Sequence, residues 1–200
     1  MADTPVGPVR RSDTPAKTSF SQHANILAVL TDAVPVAQQT ALLQKTMMAS
    51  DITQATFYFK FYLFEALKKT GLGDQFIPQL QPWRDMLALG LTTFAEQPEP
   101  TRSDCHAWSA SPLYELLSIT CGIRPAEPGF RSVRIEPFLG NLTTVDGRMP
   151  HPSGEIVVQF QNTPTGGLTG SVTLPANLTG TLRWRGKTLA LKGGKQAVSL

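Results

Sequence analysis

A multidomain α-then-β protein, with about five helices leading into an antiparallel β-sandwich, is the fold class this sequence predicts. Three observations predict it. Apolar residues recur at helical spacing from Phe20 to about Thr120. After Gly122 the spacing changes to strict alternation, as in Ser132 to Glu136, Glu155 to Gln161, Leu168 to Leu174 and Thr181 to Trp184. Before Phe20 there is no periodicity, only a run rich in Pro, Thr and Asp. These changes divide the chain into a flexible tail (residues 1–19), a helical part (20–124) and a β-domain (125–200), with the boundary in "GIRPAEPGF", where two prolines and two glycines cluster.

Taken in order, Phe20, Ile26, Leu27 and Leu30 form the apolar stripe of a first helix that Pro35 closes, and Leu42, Leu43, Met47 and Met48 form that of a second. The third segment, "DITQATFYFKFYLFEALKKTG", has Asp51 placed as N-cap, Lys68 and Lys69 at the negative end of the helix dipole and Gly71 as C-cap. From Phe57 to Leu67 it is apolar on almost every side, the pattern of a helix buried all round. A fourth helix, Gly73 to Leu89, is interrupted by Pro78 and Pro82, and a fifth runs from Pro112 to Thr120. Five helices make either a closed bundle or part of a larger toroid, and the aromatics of the third need more cover than four short neighbours supply. "RWRGKTLALKGGKQAVSL" reads as strands joined by Gly-Lys and Gly-Gly turns.

Composition narrows the function. The net charge is +3 and the basic residues are scattered, which argues against nucleic acid as a partner. No apolar run reaches the ~18 residues of a membrane span, and the amino terminus has no apolar core, so the sequence reads as cytoplasmic with no membrane association. Without an export signal, Asn141-Leu142-Thr143 and Asn177-Leu178-Thr179 are chance glycosylation matches. Cys105 and Cys121 show no ligand spacing with each other or with a histidine, so neither metal nor other cofactor is expected.

The chemically richest stretch is "TTFAEQPEPTRSDCHAW". Glu96 ends an apolar run beside Phe94 and Ala95. Partial desolvation there raises a carboxyl pKa and suits a general acid or base; a glutamate opening a solvated loop is the alternative. His106 and Trp108 suit sugar recognition, the imidazole bonding a hydroxyl and the indole packing on a pyranose face, although a core His–Trp pair has the same spelling. Asp104 is placed to cap the following turn, Arg102 to pair with Glu99 or Asp104, and Cys105 beside His106 is a weak nucleophile signal. Tyr58 and Trp83 read as core, His23 as part of a polar helix start, and His151 as a surface or interdomain residue.

In order along the chain, "SFSQHANILAVL", "ATFYFKFYLFEALKKTGLGDQFIPQLQPWRDMLALGLTTFAE", "TRSDCHAWSASPLYELL", "GIRPAEPGFRSVRIEPFLGNL" and "MPHPSGEIVVQF" resemble the carboxy-terminal part of bacterial α-L-rhamnosidases. The resemblance implies that the helices are the last part of an (α/α)6, six-hairpin barrel and that residues 131–200 are the closing β-sandwich. It implies an inverting hydrolase of terminal α-L-rhamnosides, with Glu96 in "TTFAE" as general base, His106 in "SDCHAW" as sugar contact and Trp108 as a weaker one. The family's general acid lies in the first half of the barrel, and nothing before Phe20 resembles that segment. The expectation is therefore a truncated or split rhamnosidase, inactive alone, that acts on a rhamnose-containing glycoside only with the missing barrel half, or that self-associates. A non-catalytic carbohydrate-binding or assembly module completed by a partner chain is the rival reading. Glu99 and Asp104, the other nearby carboxylates, share the loop of Glu96 and are poorly placed to serve the opposite face of a sugar.

Overall fold

The computed structural model of the chain describes residues 19–200, so the expected tail falls outside the described residues except for Ser19. The chain divides into two compact units, one ending at Pro112 and the other spanning Leu113–Leu200. The division precedes the Gly122–Phe130 stretch because the residues just before it, Leu117 and Cys121, pack into the core of the β-rich unit.

The first unit holds helices α1 (Gln22–Leu30), α2 (Val36–Met48), α3 (Phe57–Thr70) and α4 (Gln81–Ala88). Ser21 caps α1, its hydroxyl accepting the Ala24 N–H. No basic residue stands in the last turn of α1. Lys69 of α3 supplies the cation instead, donating to the Val29 and Leu30 carbonyls at 2.8 and 3.1 Å and to Asp32 at 2.7 Å. The Asp32 carboxyl is held below its ordinary value by that Lys69 hydrogen bond, with a second from Gln39. The apolar stripe of α1 is Ile26 and Val29; Leu27, expected inside, is exposed, because the helix turns it away from α2 and α3.

Asp51 does not cap α3. Residues 52–55 have their backbone groups engaged elsewhere: Thr53 exchanges hydrogen bonds with Phe20 and Gln22, and the Ala55 N–H donates to the Gln22 side chain. The helix therefore starts at Phe57, after Thr56, and ends as expected at Gly71, which takes the left-handed conformation (φ 71°). Nor is α3 buried all round. Phe57, Leu63, Phe64, Ala66 and Leu67 are buried, while Phe59, Phe61 and Tyr62 are half-buried and Tyr58 is exposed. The inward side makes an aromatic cluster, with Phe64 edge-on to Phe76 at 4.9 Å and Phe57 5.0 Å from Trp83. Burying side chains of this size stabilises by about 1.5–3 kcal/mol each. The expected Gly73–Leu89 helix is split into 3-10 turns at Gly73–Gln75 and Pro78–Leu80 followed by α4, since Pro78 and Pro82 offer no N–H to a continuous helix. On α2, Leu42 and Leu43 face inward as predicted, but Met48 is 85% exposed and Gln39 and Thr46 take the inner positions.

Helix α5 (Ser111–Glu115) widens into a π-helical turn at Leu116–Thr120. Eight strands follow: β1 (Ile123–Pro125), β2 (Ser132–Ile135), β3 (Thr144–His151), β4 (Gly154–Asn162), β5 (Leu168–Leu174), β6 (Thr179–Trp184), β7 (Lys187–Leu191) and β8 (Gly194–Ser199). They form two four-stranded sheets, ordered β1-β2-β6-β7 and β3-β4-β5-β8. Pairing is antiparallel except between β2 and β6, which run parallel with Val133 opposite Gly180, so the all-antiparallel expectation is corrected there. Alternate residues of both sheets, among them Ile135, Leu182, Val158 and Val172, enter one buried cluster. Gly122 joins the π turn to β1 at φ 72°, where a Cβ would lie 2.2 Å from the Glu136 carbonyl carbon.

Candidate functional site

The loop from Phe94 to His106 lies within the first unit and is closed by its own backbone. The His106 N–H donates to the Phe94 carbonyl at 2.7 Å and the Glu96 N–H to the Ser103 carbonyl at 2.8 Å. The Thr93 hydroxyl adds a short bond to the Asp104 carbonyl. At the tip, Glu99–Pro100 is a cis peptide. This ladder sets Glu96 across from Ser103 and brings the neighbouring Arg102 back onto it.

Arg102 grips Glu96 in a fork: Nε donates to Oε2 at 2.6 Å and Nη2 to Oε1 at 2.5 Å. Arg102 thus pairs with neither Glu99 nor Asp104. The Glu96 side chain is only 13% exposed and that of Arg102 82%. Shelter by itself would raise the Glu96 pKa, as the sequence suggests. The Arg102 hydrogen bond outweighs it, with small contributions from the Arg102 and His106 charges, and holds the carboxyl below its ordinary value. Glu96 is therefore an ionised carboxylate at neutral pH, suited to accept a proton and not to give one.

The aromatic side of the site comes from two segments. His106 and Trp108 lie with ring centroids 4.5 Å apart, and Trp108 packs at 4.8 Å on Tyr58 of α3. Trp108 is 52% exposed and Tyr58 is exposed too, so both are surface aromatics and not core. Tyr58, expected in the core, is instead exposed beside Trp108, because an aromatic in an aromatic-rich helix carries no sign of which way it faces. Trp83 is core as read, its indole N–H donating to the Ser109 carbonyl at 2.7 Å. Asp104 caps nothing: the turn Ala107–Ala110 begins after His106 without a side-chain cap. Glu99 accepts the Thr101 N–H at 3.3 Å. His23 packs on Phe59 at 4.2 Å. His151, in the second unit, bonds the Phe130 carbonyl through Nε2 at 2.9 Å and accepts the Ser153 N–H at Nδ1.

A cleft of about 290 Å³ lined by Phe57, Met86, Leu89, Ala95, Gln97 and Glu99 adjoins the same loop, but neither Glu96 nor His106 lines it. Among the described residues, no three His, Cys, Asp or Glu side chains are grouped to hold a metal ion, and no helix is long and apolar enough to cross a membrane.

Residues 122–198 match the family model described as the bacterial alpha-L-rhamnosidase C-terminal domain. Among solved structures, the Streptomyces avermitilis α-L-rhamnosidase complexed with L-rhamnose superposes with a TM-score of 0.75 at 20% identity over 90% of this chain and 21% of that one. The Aspergillus terreus α-L-rhamnosidase gives 0.74 at 19% identity, over 90% of this chain and 24% of that one. The GH78 family rhamnosidase of Bacillus sp. GL1 gives 0.74 at 25% identity, over 84% and 19%. No curated protein matches the chain. What these solved structures share with this chain is the fold of their carboxy-terminal part. Residues 122–198 are similar to the bacterial α-L-rhamnosidase C-terminal domain, and the chain as a whole resembles in fold the carboxy-terminal part of these rhamnosidases. It spans about a fifth to a quarter of the length of these solved relatives.

Proposed function

We propose that this chain is the carboxy-terminal portion of an α-L-rhamnosidase-like glycoside hydrolase, carrying the general-base side of an inverting site without the general-acid side. On this reading the helices are the closing part of an (α/α)6 barrel and the two sheets are the β-sandwich that follows it in the chain. Glu96 takes a proton from water as the water oxygen bonds to the anomeric carbon, and the glycosidic oxygen leaves with a proton from an acid that these 200 residues do not supply. His106 bonds a sugar hydroxyl and Trp108 packs against the ring. The observation that carries the reading is a sheltered Glu96 carboxylate, forked by Arg102, in a loop whose far end holds the His106 imidazole against the exposed Trp108 indole. General acid help is worth ~10²–10⁴-fold, and half a pocket also loses positioning, so the isolated chain turns over an aryl α-L-rhamnoside barely or not at all. Robust hydrolysis by the purified chain, abolished in Glu96→Gln, would overturn this.

The second reading is a carbohydrate-binding or assembly module completed by a partner chain. The exposed apolar side chains Val36, Met48, Tyr58, Leu87 and Leu89 of the first unit favour it. The two readings part on a mixing experiment: a separately expressed first half of a rhamnosidase barrel restores hydrolysis under the first and only binds under the second.

A further inference from the structure

We propose that Arg102 is a positioning residue that latches Glu96, its guanidinium occupying both carboxylate oxygens and leaving before Glu96 accepts a proton from water. The proposal rests on the reading of Glu96 as general base. The fork engages Oε1 and Oε2 together, at 2.5 and 2.6 Å, so the inner lone pair of each oxygen is taken and water or a sugar hydroxyl meets only the outer ones. A guanidinium keeps its proton throughout the working pH range, so Arg102 cannot relay the proton in place of Glu96. The bond from the Glu96 N–H to the Ser103 carbonyl fixes the two sides of the loop and starts the Arg102 side chain across from its target.

The asymmetry of exposure makes the contact a latch and not a lock. Glu96 is the sheltered partner and Arg102 the solvent-facing one, 13% against 82% exposed. Arg102 swings into water with little change in its own hydration, while Glu96 stays in place, held by the loop backbone. Because the guanidinium faces water, the pair is also screened by salt. Until it is displaced, the same contact keeps Glu96 ionised and aimed. Besides Arg102, the charge that acts on Glu96 is that of His106, which adds to that effect, while Glu99 accepts the Thr101 N–H and lines the neighbouring cleft.

The test compares the full chain with Arg102→Gln and Arg102→Lys by carbon-detected NMR titration of the Glu96 carboxyl and by titration with free L-rhamnose. The Glu96 midpoint should rise in Arg102→Gln, with Arg102→Lys between the two. Added salt should raise it in the wild type and leave Arg102→Gln nearly unmoved. Rhamnose should bind Arg102→Gln several-fold more tightly, since the competing cation has gone, with an unchanged melting profile. An identical Glu96 midpoint in wild type and Arg102→Gln overturns the latch. Weaker rhamnose binding by Arg102→Gln also overturns it, making Arg102 a direct sugar contact. If rhamnose binds neither protein while the midpoint shift and its salt dependence are present, the hold of Arg102 on Glu96 is upheld and the rhamnoside reading fails.

Discussion

At the scale of single residues, shelter and electrostatics pull Glu96 in opposite directions, and the hydrogen bonds decide. Its apolar neighbours were legible in "TTFAE", and so was its partial burial. Its partner was not, because Arg102 stands six positions ahead and reaches back only across a closed loop. No helical or strand period marks such a pair. At Cys121 burial and electrostatics act in the same direction instead. Burial, with a smaller contribution from the Asp146 carboxylate, pushes the Cys121 thiol up to about 11 from the ordinary 9.0, while Cys105 is exposed. A group whose folded pKa lies above its unfolded one contributes stability that is complete below pH 9.0 and lost as pH rises through about 11. In the folded chain at pH 8 to 9, iodoacetamide should therefore label Cys105 and spare Cys121, and both should react in denaturant. Equal labelling of the two cysteines in the native chain, read by peptide mass spectrometry, would contradict this.

At the scale of elements, the parts with a clean period were legible and those shaped by partners were not. Strands β4, β5 and β6 were readable because one face of each is buried and the other is wet. Strands β1 and β3 were not. Both are edge strands; β1 is three residues long, and β3 carries Gly147 and Pro150, which an edge tolerates because one side of it pairs with nothing in its sheet. Helix α3 was readable at its carboxy end, where Gly71 and the two lysines act locally, and misread at its start, where pairing with residues 20–22 overrides the capping signal of Asp51. Gly122 belongs to the same scale, since it sets the approach of β1 to the strand beside it. Gly122→Ala should cost at least about 1–3 kcal/mol, from a left-handed backbone forced on alanine and from contact with the Glu136 backbone. Chemical denaturation reads this, and a midpoint equal to wild type would show that the turn relaxes freely.

At the scale of the whole molecule, the order of elements was legible and their pairing was not: nothing in the β2 and β6 segments announces that they run parallel, since that depends on the route of the chain between them. The same holds for the surface of the first unit. The sequence shows more aromatic surface than its neighbours cover, but not which side stays open. The structure exposes Tyr58, Trp108, Leu87 and Leu89 of that unit, and Met48 almost fully. Large apolar side chains left in water mark interfaces in proteins that are stable alone and drive association in those that are not. Light scattering of the purified chain across a concentration series should then show an apparent mass that rises with concentration, and replacing Leu87 and Leu89 with Lys should lower it at every concentration without shifting the melting midpoint. Both side chains are largely solvated, so their replacement removes contacts between molecules and not the packing within one. A concentration-independent monomer with a single cooperative melt would mean that the helices are sufficient to themselves, and with it the expectation of a missing barrel half would lose its physical motive.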